Sequence, residues 1–153
     1  MTSSAETISA IIPFYGEPAP VLNLIASLRA QRGITPENLE IIVSDDRSPV
    51  PFPDTKGVSI VRRERNGGFG SAVNSGAARA RGDWLIILNS DLKLSENFIS
   101  SMLTALAVYR RTVGRYSLLL EAPARGSYIL LRLFVCWIFK EKYHTTQPRI
   151  LDT

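Results

Sequence analysis

The chain has 153 residues, enough for one domain with a single sizeable core. Hydrophobic residues make up 45% and charged residues 21%, which excludes a disordered or collagen-like chain. The net charge is +4, yet residues 1–103 carry ten Lys and Arg against eleven Asp and Glu, so the basic excess belongs to the last third and no nucleic-acid partner is expected.

Ile8–Ile12 is an apolar run that predicts a buried strand stopped by Pro13, a residue with no ladder donor. Pro18-Ala-Pro opens an amphipathic helix with Val21, Leu22, Leu24, Ile25 and Leu28 at helical spacing, ending near Gly33. EIIVS over Glu40–Ser44 predicts a second strand, followed at once by Asp45 and Asp46. The next stretch, RSPVPFPDTKG, holds three prolines and predicts an irregular loop. Val58–Arg62 is a third strand, NGGFG (Asn66–Gly70) a turn, and Ser71–Arg81 an alanine-rich helix. Trp84–Leu88 is a fourth strand, and a further helix runs from Ser95, its N-cap, to about Arg111.

Continuous apolar strands separated by crossovers predict an α/β fold, a mostly parallel sheet with helices on both faces. The organised region is residues 1–112; residues 113–153 form an atypical basic and apolar tail. The longest apolar run of the tail, Tyr128–Phe139, is twelve residues and contains Arg132, short of the roughly 20 that span a bilayer. Two readings stay open for it: a buried helix or strand, or a basic aromatic segment lying on a membrane surface, flanked by Arg125, Lys140 and Lys142. Cys136 is the only cysteine, which excludes an intramolecular disulfide and a cysteine-based zinc site and suits a reducing compartment. The N-terminus, MTSSAETISAII, lacks the basic segment of a secretory signal.

Ligands of open parallel sheets bind beyond the carboxyl ends of the strands. Three strands end there in polar groups: Pro13-Phe14-Tyr15-Gly16-Glu17, Asp45-Asp46, and Asn89-Ser90-Asp91. An acidic edge repels phosphate unless a divalent cation bridges the two, and Mg²⁺ or Mn²⁺ needs only one or two protein carboxylates beside substrate oxygens. Asp91 suits that role. In an extended chain Asn89 and Asp91 face the same side, with Ser90 opposite. Asp45 and Asp46 offer acceptors for ring N–H groups or ribose hydroxyls. NGGFG lacks the third glycine of a dinucleotide fingerprint and follows the third strand, so a nicotinamide-cofactor site is not expected. His144 is the only histidine and lies in the tail, which argues against a Ser-His-Asp triad.

Taken in order and spacing, ISAIIPFYGEP, LEIIVSDDRS and NGGFGSAVNSGAARARGDWLIILNSD resemble the N-terminal half of family 2, GT-A type glycosyltransferases over residues 6–112. The rhamnosyltransferase-like subgroup, with Asn-Pro-Asp at its metal motif, is nearest. The resemblance implies a Rossmann-like GT-A half-domain, a nucleotide-diphospho-sugar donor, a glycan or lipid-linked acceptor, and a divalent cation. It places Pro13, Tyr15 and Glu17 beside the nucleotide and Asp45 or Asp46 on the base or ribose. Asn66, Gly68 and Phe69 match the turn before the helix, Asn89 opens the metal motif, and Asp91 is the metal ligand. Catalysis by inversion needs a carboxylate base from the second half of such a domain, and none of Glu121, Glu141 and Asp152 sits in a recognisable context. Natural truncation and a frameshifted reading frame both account for that departure, and the disorder of the pattern in the tail favours the second. A truncated, inactive chain, a non-catalytic nucleotide-sugar-binding fragment, and a module acting on a membrane or another protein therefore stand beside the enzyme reading. The expected location is the cytoplasm, at the inner face of the membrane.

Overall fold

Isoleucine, valine and leucine fill the strand segments on both sides, so each strand must be covered twice, and crossovers on either side of one sheet meet that demand. The computed structural model describes residues 7–105 and the backbones of 106–113, 119–120 and 135–139. In chain order the elements are β1 (Ile8–Phe14), α1 (Pro18–Arg29), a 3₁₀ turn (Pro36–Asn38), β2 (Leu39–Asp45), β3 (Val58–Arg62), α2 (Gly68–Arg79), β4 (Trp84–Ile87), α3 (Phe98–Val113), β5 (Leu119–Leu120) and β6 (Val135–Phe139). The sheet order is β3-β2-β1-β4-β6-β5. The first four are parallel, while β6 runs antiparallel to β4 and β5 antiparallel to β6. The expected α/β architecture is the one found.

The larger core layer sets Ile8, Ala10, Ile12 and Phe14 of β1 against Val21, Leu24, Ile25 and Leu28 of α1 and Ile99 and Met102 of α3. The opposite face, with Ile11, Ile42 and Leu85, meets Ala77 and Ala80 at the end of α2. That helix comes close because position 76 is glycine: a Cβ there would lie 2.6 Å from Ile11 Cγ2 and 3.5 Å from Ser44 Cβ. The buried Ser44 hydroxyl beneath it has no hydrogen-bond partner among the described residues.

Several boundaries differ from expectation. Strand β1 passes through Pro13 to Phe14, because β4 pairing stops at Ile11 and only β2 accompanies the tip. Helix α1 ends at Arg29, earlier than Gly33; Gly33 takes a φ of +79° in a later turn, where a Cβ would approach Ser100 Cβ to 3.1 Å. Helix α2 begins at Gly68, inside the NGGFG turn, and α3 begins at Phe98 rather than Ser95. The first turn of α3 is served by Gln31: its side chain accepts Ile99 N–H at 2.9 Å and donates to the Ser95 and Ser27 carbonyls at 2.7 and 3.0 Å. A buried amide thus ties the end of α1 to the start of α3.

Within Tyr128–Phe139, Val135–Phe139 forms β6; the rest of that run, the membrane-surface reading and His144 lie outside the described residues. Among the described residues no helix is long and apolar enough to cross a membrane.

At the amino edge of the sheet, Glu40 accepts from Ser9 Oγ at 2.6 Å and from Arg81 N at 2.9 Å, and it pairs with the Arg81 guanidinium at 3.0 Å. Burial pushes the Glu40 carboxyl up, but the Ser9 hydroxyl and the Arg81 amide and charge outweigh it and hold the group below the usual glutamate range. A depressed folded-state pKa contributes stability above the unfolded value near 4.5, and that contribution is lost as pH falls through the folded value. In urea unfolding, Glu40→Gln is therefore expected to be less stable than the parent at pH 7, with the difference shrinking below about pH 4.5. Nearby, Gly82 donates to Ser9 Oγ at 2.9 Å, and a Cβ on it would fall 2.7 Å from Ser9 N and 2.8 Å from Ile8 C. Because those obstacles are backbone, Gly82→Ala should lower the thermal midpoint by several degrees, corresponding to roughly 1–3 kcal/mol of overpacking.

Candidate functional site

Strands β1 and β4 are neighbours although the chain visits β2 and β3 between them, so the sheet reverses its winding at that pair. Open α/β sheets place ligands outside the carboxyl ends at such a reversal. The tips of β1, β2 and β4 converge there.

The tip of β2 is organised by its own acids. Asp45 is 1% exposed, and its side chain accepts from Ser48 N at 2.8 Å and Phe52 N at 3.2 Å and pairs with Arg62. Arg62 also donates to the Ser48 carbonyl at 2.9 Å, and Ser48 Oγ accepts Gly16 N–H at 2.6 Å. One carboxylate thereby binds the proline-rich loop to the tip of β1. Phe52 completes the attachment edge-on to Phe14, with ring centroids 5.1 Å apart. The tight turn forces Arg47 to a φ of +61°, which costs a residue with a Cβ some strain.

Asp46 does the same for the turn before α2. It accepts from Gly67 N at 3.0 and 3.2 Å and from Gly68 N at 2.7 Å, and it pairs with Arg63. Asn66 Oδ1 also accepts Gly68 N–H, at 3.2 Å. Gly68 has a φ of +81°, the left-handed region that glycine enters freely. A helix N-terminus attracts anions through its unpaired N–H groups. Here a carboxylate of the chain takes two of those donors, the Gly67 and Gly68 N–H groups.

Between these tips lies a cleft of about 330 Å³ lined by Pro13, Phe14, Tyr15, Asp46, Asn66, Gly68, Phe69, Ala72 and Ser90. Six of the residues singled out in the sequence come together in it: Pro13, Tyr15, Asp46, Asn66, Gly68 and Phe69. Tyr15 and Phe69 are 59% and 49% exposed, large aromatic faces presented at its rim. Asp45 lies beneath the wall, and Glu17 is exposed at the start of α1.

The β4 tip departs from the extended geometry that would set Asn89 and Asp91 on one side. Regular strand ends at Ile87, and Leu92 N donates to the Asn89 carbonyl at 3.3 Å, closing a turn through Ser90 and Asp91. Ser90, not its neighbours, therefore lines the cleft. Asp91 is exposed, and no partner for its carboxylate is found among the described residues, in contrast to Asp45 and Asp46. One open carboxylate with room for water and ligand oxygens fits the donor set that Mg²⁺ or Mn²⁺ takes beside a phosphate. Among the described residues no cluster of three or more metal-ligating side chains exists, so any metal there would rely on ligand oxygens.

Sequence reasoning named Phe14 and Ser90 only as members of the strand-tip runs, without a role in the lining, and missed Ala72 and the supporting roles of Ser48, Arg62 and Arg63. A signal for the arginines was present. Two adjacent parallel strands end in SDD and VRR, and the register sets Asp45 opposite Arg62.

Among curated proteins, the chain is 36% identical over 92 residues to an uncharacterized glycosyltransferase of Haemophilus influenzae, covering 55% of this chain and 29% of that one. It therefore spans under a third of that relative's length. Among solved structures it is similar to S. aureus TarS 1–349, with a TM-score of 0.58 at 22% identity over 80% of this chain and 38% of that one. It also resembles mannosyltransferase PcManGT from Pyrobaculum calidifontis in complex with GDP-Man and Mn²⁺, with a TM-score of 0.58 at 18% identity over 69% and 33% of the two chains. These likenesses show a shared fold. The model of glycosyl transferase family 2 matches residues 9–118, most of the chain, and the chain belongs to that family.

Proposed function

We propose that the chain carries the donor half of a glycosyltransferase that moves a sugar from a nucleotide-diphospho-sugar to an acceptor hydroxyl. The observation that carries this reading is the cleft at the β1/β4 reversal, with exposed aromatic faces at its rim and the one open carboxylate of the three strand-tip aspartates, Asp91, beside it. Two neighbours in structure support it: TarS 1–349 in complex with UDP-GlcNAc, and PcManGT in complex with GDP-Man and Mn²⁺.

In this reading Pro13, Tyr15, Asn66, Gly68 and Phe69 border the nucleotide, with Asp46 in the wall and Asp45 beneath it. The exposed rings of Tyr15 and Phe69 suit stacking on a flat base, an interaction available to any base. Glu17 and Asn89 stand at the margins of the same edge. Asp91 would hold a divalent cation, which when bound neutralises charge on the departing diphosphate. The acceptor oxygen bonds to the anomeric carbon as the bond from that carbon to the diphosphate oxygen breaks. The acceptor proton passes to a base, which we place in the part of a complete transferase beyond residues 9–118. A rhamnosyl-type donor, a glycan or lipid-linked acceptor, and action at the inner face of a membrane are further parts of the proposal, resting on the sequence resemblance alone.

Calorimetry of the full chain with UDP-, GDP- and dTDP-sugars, each with and without Mn²⁺, tests it. At least one is expected to bind more tightly with the metal, and binding of none would remove the donor reading. Asp91→Ala should weaken the metal-dependent binding by roughly tenfold or more, the scale of one contact to a charged group, while leaving the circular dichroism unchanged.

A further inference from the structure

The turn before α2 joins two residues whose side chain and backbone can react with each other. Asn66 lines the cleft and is followed by Gly67, and residues 64–69 are all exposed. The Asn66 carboxamide folds back along its own chain, where Oδ1 accepts Gly68 N–H at 3.2 Å, the turn that asparagine forms with the amide two residues on. The nitrogen between them is that of Gly67, and glycine leaves it unshielded by any side chain of its own. The backbone does not demand glycine here, since φ is −131°, on the side open to every residue. A Cβ would meet the end of the Arg63 side chain, 2.5 Å from Nη1, and Ser71 Oγ at 2.9 Å.

We propose that Asn66 is a deamidation site built into the cleft, and that its conversion weakens the hold on an anionic ligand. The Gly67 nitrogen gives up its proton and attacks Asn66 Cγ. The Cγ–Nδ2 bond breaks, and the amide nitrogen leaves with that proton as ammonia. Water then opens the cyclic imide, at Cγ to give aspartate or at the backbone carbonyl to give isoaspartate. Either product carries a carboxylate where the cleft lining had a neutral amide, in the same wall as Asp46. In isoaspartate the main chain also gains a methylene, which displaces the Gly67 and Gly68 amides. The turn itself sets the pace. Gly67 N–H is held by the Asp46 carboxylate at 3.0 Å, so its nitrogen is released only when the turn opens, and an exposed turn opens at lower cost than the strands and helices beside it. The effect on binding rests on the donor-site reading above, whereas the modification does not.

The test keeps the full chain folded in mildly alkaline buffer and samples it over days. Trypsin releases residues 66–79 between Arg65 and Arg79, and the sample taken at the start sets the background. The same peptide holds Asn74, inside α2 and followed by Ser75, as an internal control. Mass spectrometry is expected to show the gain of amide to carboxylate at Asn66 and not at Asn74, with isoaspartate among the products. The rate should be roughly tenfold to a hundredfold below that of a free peptide of residues 62–72, because the turn must first open. Gly67→Ala should suppress the gain, since its Cβ obstructs the attack. In calorimetry with UDP, GDP and dTDP plus Mn²⁺, the converted chain is expected to bind the parent's preferred nucleotide roughly tenfold more weakly, while Gly67→Ala stored alongside keeps its own starting affinity. No gain at Asn66 while the free peptide converts fully, or an equal gain at Asn74, would overturn the site. Unchanged affinity in the converted chain would overturn its effect on the cleft. Should the unconverted chain bind no nucleotide, the donor reading fails and takes the effect on binding with it, while the mass gain still decides the modification.

Discussion

Two ion pairs between neighbouring strand tips, Asp45 with Arg62 and Asp46 with Arg63, hold the ligand edge of this sheet together. Their carboxylates are 1% and 5% exposed, whereas the arginines keep 29% and 19% of their side-chain surface in solvent. Such pairs need not add much net stability, because desolvation offsets the attraction, but breaking one by removing a partner costs about 3–5 kcal/mol. Each acid also spends its remaining capacity on backbone N–H groups of a loop that has no sheet or helix to satisfy them. The proline-rich loop, the β1 tip and the turn before α2 therefore take their shapes from two adjacent side chains.

That arrangement divides the acidic residues of the edge into two kinds. Asp45 and Asp46 are consumed by the fold, while Asp91, at the end of β4, is exposed in a turn. The division also settles what the N-terminus of α2 can offer. Two of its donors, the Gly67 and Gly68 N–H groups, already hold a carboxylate, whose charge opposes a diphosphate arriving at this edge. A cation on the open carboxylate is one physical means of neutralising it, and it needs only one side chain because phosphate and water oxygens fill the other positions.

Much of this was legible in the sequence because burial imposes it. Ile8–Ile12, Glu40–Ser44 and Trp84–Leu88 can be buried on both faces only in a covered parallel sheet, and the three polar runs that follow them must then share an edge. The boundaries were harder to read. Pro13 looks like a stop signal in isolation, but the missing donor matters only where a second strand still pairs, and β4 has already left. Gly33 looks like a helix end, yet its left-handed turn answers to contact with Ser100 rather than to α1. Ser95 looks like an N-cap, whereas the buried amide of Gln31, 68 residues from its partner Ile99, serves that turn. The least legible feature was the division of labour among the aspartates. Asp-Asp before an arginine-rich strand end reads as ligand chemistry, and only the register adds the second role by setting the opposite charges side by side.

The most direct measurement is paramagnetic broadening of amide resonances by Mn²⁺ in the presence of a nucleoside diphosphate. The account predicts broadening centred on Ser90–Leu92 and extending to the cleft amides of Tyr15 and Phe69. The Ser48 and Phe52 amides, bonded to Asp45, should remain comparatively sharp. Broadening centred on Asp45 and Asp46, with Asp91 untouched, would contradict the assignment of those two acids to the fold and of Asp91 to the metal.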